Sequence, residues 1–351
     1  MARFEGAAPS GAPGPRLGGD EAQRRAGRPQ RDLYAAVDLG TNNCRLLIAA
    51  PAGDGFRVVD GYSQIVRLGE GLSASGRLSE AAIARAMDAL AACAERIARR
   101  GATRVACVAT QACRQAANGP AFLQRVRAEL GLAFEIIDPA EEARLAVLGC
   151  ASLIDPRAAY ALVVDIGGGS TELSLVDAAA AARGRPPPIA AWTSAPVGVV
   201  HLAERMPERE DLAAWFADMR DAVRDALAPF AEQTAIAAAF EADRGHIVGT
   251  SGTVTSLAGV HLNLRRYQRT RVDGLWMTRA ACDAAADALK RMTPAQRARH
   301  PCIGRDRADL VLPGCAILDA VLSLWPAQRL RVADRGLREG MLMTLMARDH
   351  G

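Results

Sequence analysis

Three turns rich in glycine and hydroxyl groups concentrate the residues able to hold phosphate. In Asp165-Ile-Gly-Gly-Gly-Ser-Thr-Glu172, Gly167, Gly168 and Gly169 let backbone N–H groups converge on an anion with no Cβ in the way. Ser170 and Thr171 add hydroxyl donors. A strand follows these glycines instead of a helix, so the turn is not a dinucleotide fingerprint. Asp38-Leu-Gly-Thr-Asn-Asn-Cys-Arg45 offers the same chemistry through Gly40, Thr41, Asn42, Asn43 and Arg45, although alone it reads as an ordinary hairpin. The third turn, Gly249-Thr-Ser-Gly-Thr253, stands between a strand and a helix. Gly252 and Thr253 then sit where helix-terminal amides and the helix dipole favour an anion. A plain strand-to-helix loop is the bland reading there.

Carboxylates flank these turns. Asp38, Asp165 and Glu172 would repel a phosphate chain unless a cation lay between. Mg²⁺ meets that need, because it takes oxygen ligands, keeps several waters and bridges carboxylates to phosphates. The segment Ile137-Asp-Pro-Ala-Glu-Glu-Ala-Arg-Leu145 holds a further candidate. Asp138 reads as a helix N-cap, Pro139 as the first helical residue and Glu141 as the capping-box partner. Glu142 has no such duty and points to another side of the helix. A carboxylate there can orient and deprotonate water for attack on phosphorus; a surface glutamate is the alternative.

The elements that must position these groups alternate between strand and helix. Leu33–Asp38 and Cys44–Ala49 read as strands around Gly40, followed by another strand pair. Ser79 can cap a helix that ends at Arg100 before Gly101, with Ile83, Met87, Leu90, Ala94 and Ile97 on one face. A strand at Arg104–Thr110, a helix at Pro120–Leu130 and a short strand at Phe134–Ile137 lead to the Glu142 helix. Tyr34–Ala49 and Ala161–Val176 then match in kind at nearly every position, with Asp38 corresponding to Asp165 and Gly40 to Gly167. A repeat at this scale indicates duplication of a domain. Later come an amphipathic helix at Leu212–Leu227, a strand at His246–Gly249, a capping box at Thr293–Gln296, a strand at Leu330–Ala333 and a last helix at Leu337–Arg348.

Taken together and in order, DLGTNNCRLL, VRLGEGL, ATQACRQAANG, EEARLAVLG, VDIGGGSTEL, VGTSGTVTSLAGV and RGLREGML closely resemble the exopolyphosphatase / guanosine pentaphosphate phosphohydrolase family. The resemblance implies a duplicated actin-like (ribonuclease H-like) two-lobed α/β fold with the active site in the interdomain cleft. The implied division is a first lobe of 32–140 plus 336–351 and a second lobe of 141–335. It also implies that Glu142 is the catalytic base. Asp165 and Glu172 become metal and catalytic-site groups, and Arg114 a phosphate-chain-binding arginine. Thr41, Asn43 and Ser251 depart from the family's commonest residues but keep hydrogen-bonding capacity. Longer members add helical domains, and this chain stops without them. The reading therefore expects weaker grip on long polymers and distributive action.

Bulk properties exclude other classes. The formal charge of +4 is split between residues 1–32, with six arginines against four acids, and a nearly neutral body. Nothing there suggests a nucleic-acid footprint. Residues 1–31 lack an apolar period and should be a disordered tail, dispensable for chemistry. The eight cysteines form no C-x-x-C pair and read as buried thiols. No stretch suits a membrane span or a signal peptide, so the expected compartment is the cytoplasm. The expected activity is Mg²⁺-dependent removal of terminal phosphate from inorganic polyphosphate. Its rivals are guanosine pentaphosphate hydrolysis, a sugar or acetate kinase, and a non-hydrolysing alarmone sensor. Oligomeric state is left open, a homodimer included.

Overall fold

The computed structural model describes residues 32–350 apart from 54, 182–186 and 235. The tail expected at 1–31 lies outside the described residues. β1 (Tyr34–Leu39) and β2 (Asn43–Ala52) make the first hairpin, with Asp38 directly opposite Arg45. Where the sequence suggests a further strand pair, there is one strand, β3 (Gly55–Ile65). A register shift at Ile48/Ala49 lets β3 follow β2 to its end, and Gly53 turns the chain at φ +55°. β4 (Arg104–Ala109) adds parallel to β1 and β5 (Phe134–Ile136) parallel to β4, giving the order β3-β2-β1-β4-β5.

The second sheet repeats this plan. β6 (Tyr160–Ile166) and β7 (Thr171–Asp177) form a hairpin that places Asp165 opposite Glu172. β8 (Ile189–Ala195) extends it, β9 (Gly245–Thr250) lies parallel to β6, and β11 (Arg329–Ala333) lies parallel to β9. Only the edge strand β10 (Trp276–Thr278) is extra, so the order is β10-β11-β9-β6-β7-β8. The short repeat in the sequence is thus the visible part of a whole duplicated lobe.

Local chemistry sets the helices. Ser79 accepts from the Ala82 N–H and starts the helix Glu80–Arg100, while Gly101 ends it at φ +72°, which a Cβ would disfavour. Val311–Leu324 is buried on nearly every side and fills the second lobe's core. Its sequence is apolar all round, so no periodicity singled it out. Among the described residues no helix is long and apolar enough to cross a membrane.

Two helices join the lobes. Pro139–Cys150 places Leu145 in a cluster with Tyr34, Leu47 and Met341, and Val147 and Cys150 in a cluster with Val163 and Val248. Leu337–His350 crosses it at backbone contact. A Cβ on Gly340 would lie 2.0 Å from the Leu145 carbonyl oxygen, and one on Gly149 would lie 1.9 Å from that of Gly336. Only glycine permits this approach.

Candidate active site

The two hairpin turns meet at the floor of the cleft. A Cβ on Gly168 would stand 3.1 Å from Asn42, so the turns are already in van der Waals contact. Each is closed by the same bond, Gly40 N–H to Asn43 O and Gly167 N–H to Ser170 O, both 2.9 Å. Those two amides are therefore spent inside the turns. The amides of Thr41, Asn42, Gly168 and Gly169 have no backbone acceptor among the described residues and remain for a ligand.

A cavity of about 630 Å³ opens above the turns. Its wall includes Asp38, Gly40 to Asn43, Arg45, Glu142, Asp165, Gly167 to Ser170, Gly252 and Thr253. Thr171, Glu172 and Arg114 are not on that wall. The Thr171 hydroxyl donates to Val197 O at 2.6 Å in a fully buried position, so it is not available to phosphate. Glu172 is buried and accepts from Ser194 Oγ at 2.7 Å. Arg114, on the short helix Gln111–Gln115, donates from Nη1 to Ile137 O (2.6 Å) and to Glu142 Oε2 (3.4 Å). It thus neighbours the proposed base instead of reaching across the cavity.

Glu141 and Glu142 have different surroundings, and the expected capping box needs a correction. Asp138 caps the helix through the Glu141 N–H at 2.8 Å. The Glu141 carboxylate does not complete the box: Arg144, three residues on, takes both its oxygens at 2.7 Å. Glu142 is turned inward. Burial first, then the charge of Glu172, pushes its pKa well above the ordinary carboxylate range, against the pull of Arg114. Burial and Glu172 likewise raise Asp165 to about 7. Asp38 is raised by burial, which Arg45 and Arg338 oppose.

These shifts couple protonation to stability. A carboxylate raised in the folded state binds more protons folded than unfolded, so its contribution to stability falls as pH rises through the gap between the two pKa values. For Asp165 the gap runs from the ordinary range to about 7, and for Glu142 it extends higher. His201, His246 and His300, lowered by burial, act in the opposite sense, but at lower pH. With divalent metal chelated, the melting temperature should fall between about pH 6.5 and about pH 8, and less steeply in Glu142→Gln. Equal slopes for the two proteins would show that Glu142 is not held in this way.

Such carboxylates suit a cation. Among the described residues no three carboxylates, imidazoles or thiolates converge closely enough to hold a metal by themselves. Mg²⁺ commonly takes only one or two carboxylates and completes its shell with water and substrate phosphate. Asp38, buried, and Asp165, half-buried, stand beside the glycine turns and fit that role; Glu172 fits it less directly because Ser194 holds it.

Sequence reasoning missed two arginines of the cavity wall. Arg307 and Arg338 line the cavity with Arg45, and among the described residues none of the three is hydrogen-bonded to a carboxylate. Burial, reinforced by Arg45, lowers the pKa of Arg307; burial, opposed by Glu339, lowers that of Arg338. The Arg307 guanidinium carbon lies 3.8 Å from where a Gly252 Cβ would be, at the N-terminus of the helix Gly252–His261. Arg338 offered a signal: it occupies the first turn of its helix, where the dipole disfavours a cation. Ser251 is a further outlier. Its φ of +98° and ψ of 174° fall in a region almost reserved for glycine, and its hydroxyl is buried with no hydrogen-bond partner among the described residues. Asn42 Oδ1, Asn43 Oδ1 and Gln111 Oε1 are also buried with no hydrogen-bond partner among the described residues, and all three residues line the cavity. Such a concentration of unmet polar groups marks a ligand site.

The chain also resembles known proteins. The profile of the Ppx/GppA phosphatase family, a family described as phosphatases, matches residues 47–349. Exopolyphosphatase 2 of Mycobacterium tuberculosis is 31% identical over 330 residues, covering 89% of this chain and 98% of the relative. A guanosine-5'-triphosphate,3'-diphosphate pyrophosphatase of Photobacterium profundum is also 31% identical, over 346 residues, covering 91% of this chain but 60% of the relative. The crystal structure of the Aquifex aeolicus Ppx/GppA family member superposes with a TM-score of 0.72 at 28% identity, covering 91% of this chain and 99% of that one.

Proposed function

This chain belongs to the Ppx/GppA phosphatase family, and from that premise we propose that it uses Mg²⁺ to remove terminal phosphate from inorganic polyphosphate. The observation that carries the substrate assignment is the set of arginines lining the cleft. Its wall carries the carboxylates of Asp38, Glu142 and Asp165 together with Arg45, Arg307 and Arg338, and among the described residues none of these arginines is hydrogen-bonded to a carboxylate. A chain of phosphates can place its terminal phosphorus beside Glu142 and its following phosphates on the arginines. Arginine is suited to this because it stays charged and presents several donors in a fixed fork.

Glu142, once ionised, would accept the proton of a water aligned with the terminal phosphorus. The new P–O bond forms as the bridging P–O bond breaks, releasing orthophosphate and a chain shorter by one residue. Arg114 would favour the ionised form of Glu142. Asp38 and Asp165 would hold Mg²⁺, which when bound neutralises charge on the phosphate oxygens. The turn amides would orient the terminal phosphate. A cytoplasmic setting, where polyphosphate and Mg²⁺ are both accessible, is part of this proposal.

One observation favours guanosine pentaphosphate as a second reading. Tyr267 and Asp334 together line the cavity, an aromatic ring beside a carboxylate, which is the chemistry that reads a guanine. Asp334 is already engaged, however, by the Tyr267 hydroxyl at 2.7 Å and by Arg269. The readings separate by kcat/KM on the two substrates. Polyphosphate should be preferred, and Tyr267→Phe should leave its kcat/KM within about twofold, as for a residue making no transition-state contact. A preference for pentaphosphate that Tyr267→Phe abolishes would establish the second reading instead.

A further inference from the structure

The segment Val66-Arg-Leu-Gly-Glu-Gly-Leu72 has no part in the chemistry described so far, yet it bonds to the first turn and to two elements of the second lobe. The N–H groups of Val66 and Arg67 both donate to Asn42 O, at 2.9 and 3.1 Å, and that of Gly69 donates to Thr41 O at 2.9 Å. It therefore backs the first turn. The Gly71 N–H crosses to Glu204 Oε1 at 3.0 Å, on the helix whose Val199 and Val200 amides hold Gly167 O and Gly168 O behind the second turn. Arg67 crosses to the second lobe as well. Its Nη2 donates to Asp306 O at 3.1 Å and to Asp309 Oδ1 at 2.9 Å, the residues that bracket Arg307.

The backbone of Arg67 stands at φ +46°, an uncommon conformation for a residue with a side chain. Arg85 fixes it by donating to Val66 O, Arg67 O and Glu70. Arg45 and Arg307 approach from opposite lobes as like charges. An empty cleft would therefore tend to drive them apart, and the Arg67 contact ties the segment carrying Arg307 to the first lobe. We propose that Arg67 is a positioning residue, which holds Arg307 over the first-lobe turn so that the cleft meets incoming phosphate with its arginines already assembled. This inference rests on the phosphohydrolase reading and adds to it the means by which the binding wall is set.

Arg67→Gly is the informative variant, since glycine adopts φ +46° without strain and only the side chain is lost. Its KM for polyphosphate should rise at least about fivefold, the low end of coupling between sites, with kcat within about twofold because the reacting groups are untouched. Asp309→Asn should show the same split from the other side of the contact. In an Arg307→Ala background, Arg67→Gly should change KM by less than about twofold, because the residue through which it acts is gone. Full persistence of its effect in that background, or loss of kcat at unchanged KM, would overturn the proposal while leaving the hydrolase reading intact. If wild-type protein fails to hydrolyse polyphosphate at all, that reading falls instead. The same cycle measured as tripolyphosphate affinity by calorimetry then decides the role of Arg67.

Discussion

Glu142→Gln is expected to lower kcat on polyphosphate by at least ~10²-fold, the range of a positioned acid–base group, with KM little changed. Glutamine keeps the shape and the hydrogen-bonding reach but cannot take a proton from water. The variant should fold at least as well as wild type: burial already disfavours the ionised side chain, and the Arg114 contact it weakens is long, at 3.4 Å. Glu141→Gln is the matched control one residue away. It breaks an exposed ion pair with Arg144, an interaction worth about 0–1 kcal/mol, and leaves the Asp138 cap to the backbone N–H intact. Steady-state kinetics with melting curves on both variants measure the difference. Equal losses of kcat would mean that the helix, and not the Glu142 carboxylate, matters.

Asp165→Asn is expected to be the next most damaging change. Asp165 stands near the end of β6 on the cavity wall, opposite Glu172, and burial together with that neighbour makes its charge unfavourable without a cation. Asparagine relieves the repulsion, so the metal-free variant should melt no lower than wild type. It should nevertheless require more Mg²⁺ for half-maximal activity and turn over more slowly even at saturation, because one anionic ligand has been removed. Titrating Mg²⁺ against initial rate reads both effects. Full activity of wild type after complete chelation of divalent metal would remove the metal from the account.

What could be read in advance depended on how local its cause was. The caps at Ser79, Asp138 and Thr293 were legible because a side chain three residues from its amide decides each. The paired hairpins were legible because duplication left Asp38 and Asp165 in equivalent frames. Arg45 and Glu172 show how far the copies have diverged: each stands opposite the lobe's aspartate, one cationic and one anionic. Arg307 and Arg338 were not legible, since their neighbours in space lie in the other hairpin and on other helices. Glu141 was assigned a capping box because the spacing permits it, but Arg144 offered a charged partner within reach. Thr171 was read as a phosphate donor from composition; the Val197 carbonyl that takes its hydroxyl belongs to a loop the sequence did not place.

Initial rates of orthophosphate release from polyphosphate, guanosine pentaphosphate and ATP, measured side by side with Mg²⁺ present, test the central claim most directly. Wild type should show its highest kcat/KM on polyphosphate, a lower one on pentaphosphate and the lowest on ATP, with all three falling together in Glu142→Gln. Release from none of them, with tight binding of guanosine pentaphosphate, would make the protein a sensor and not a hydrolase.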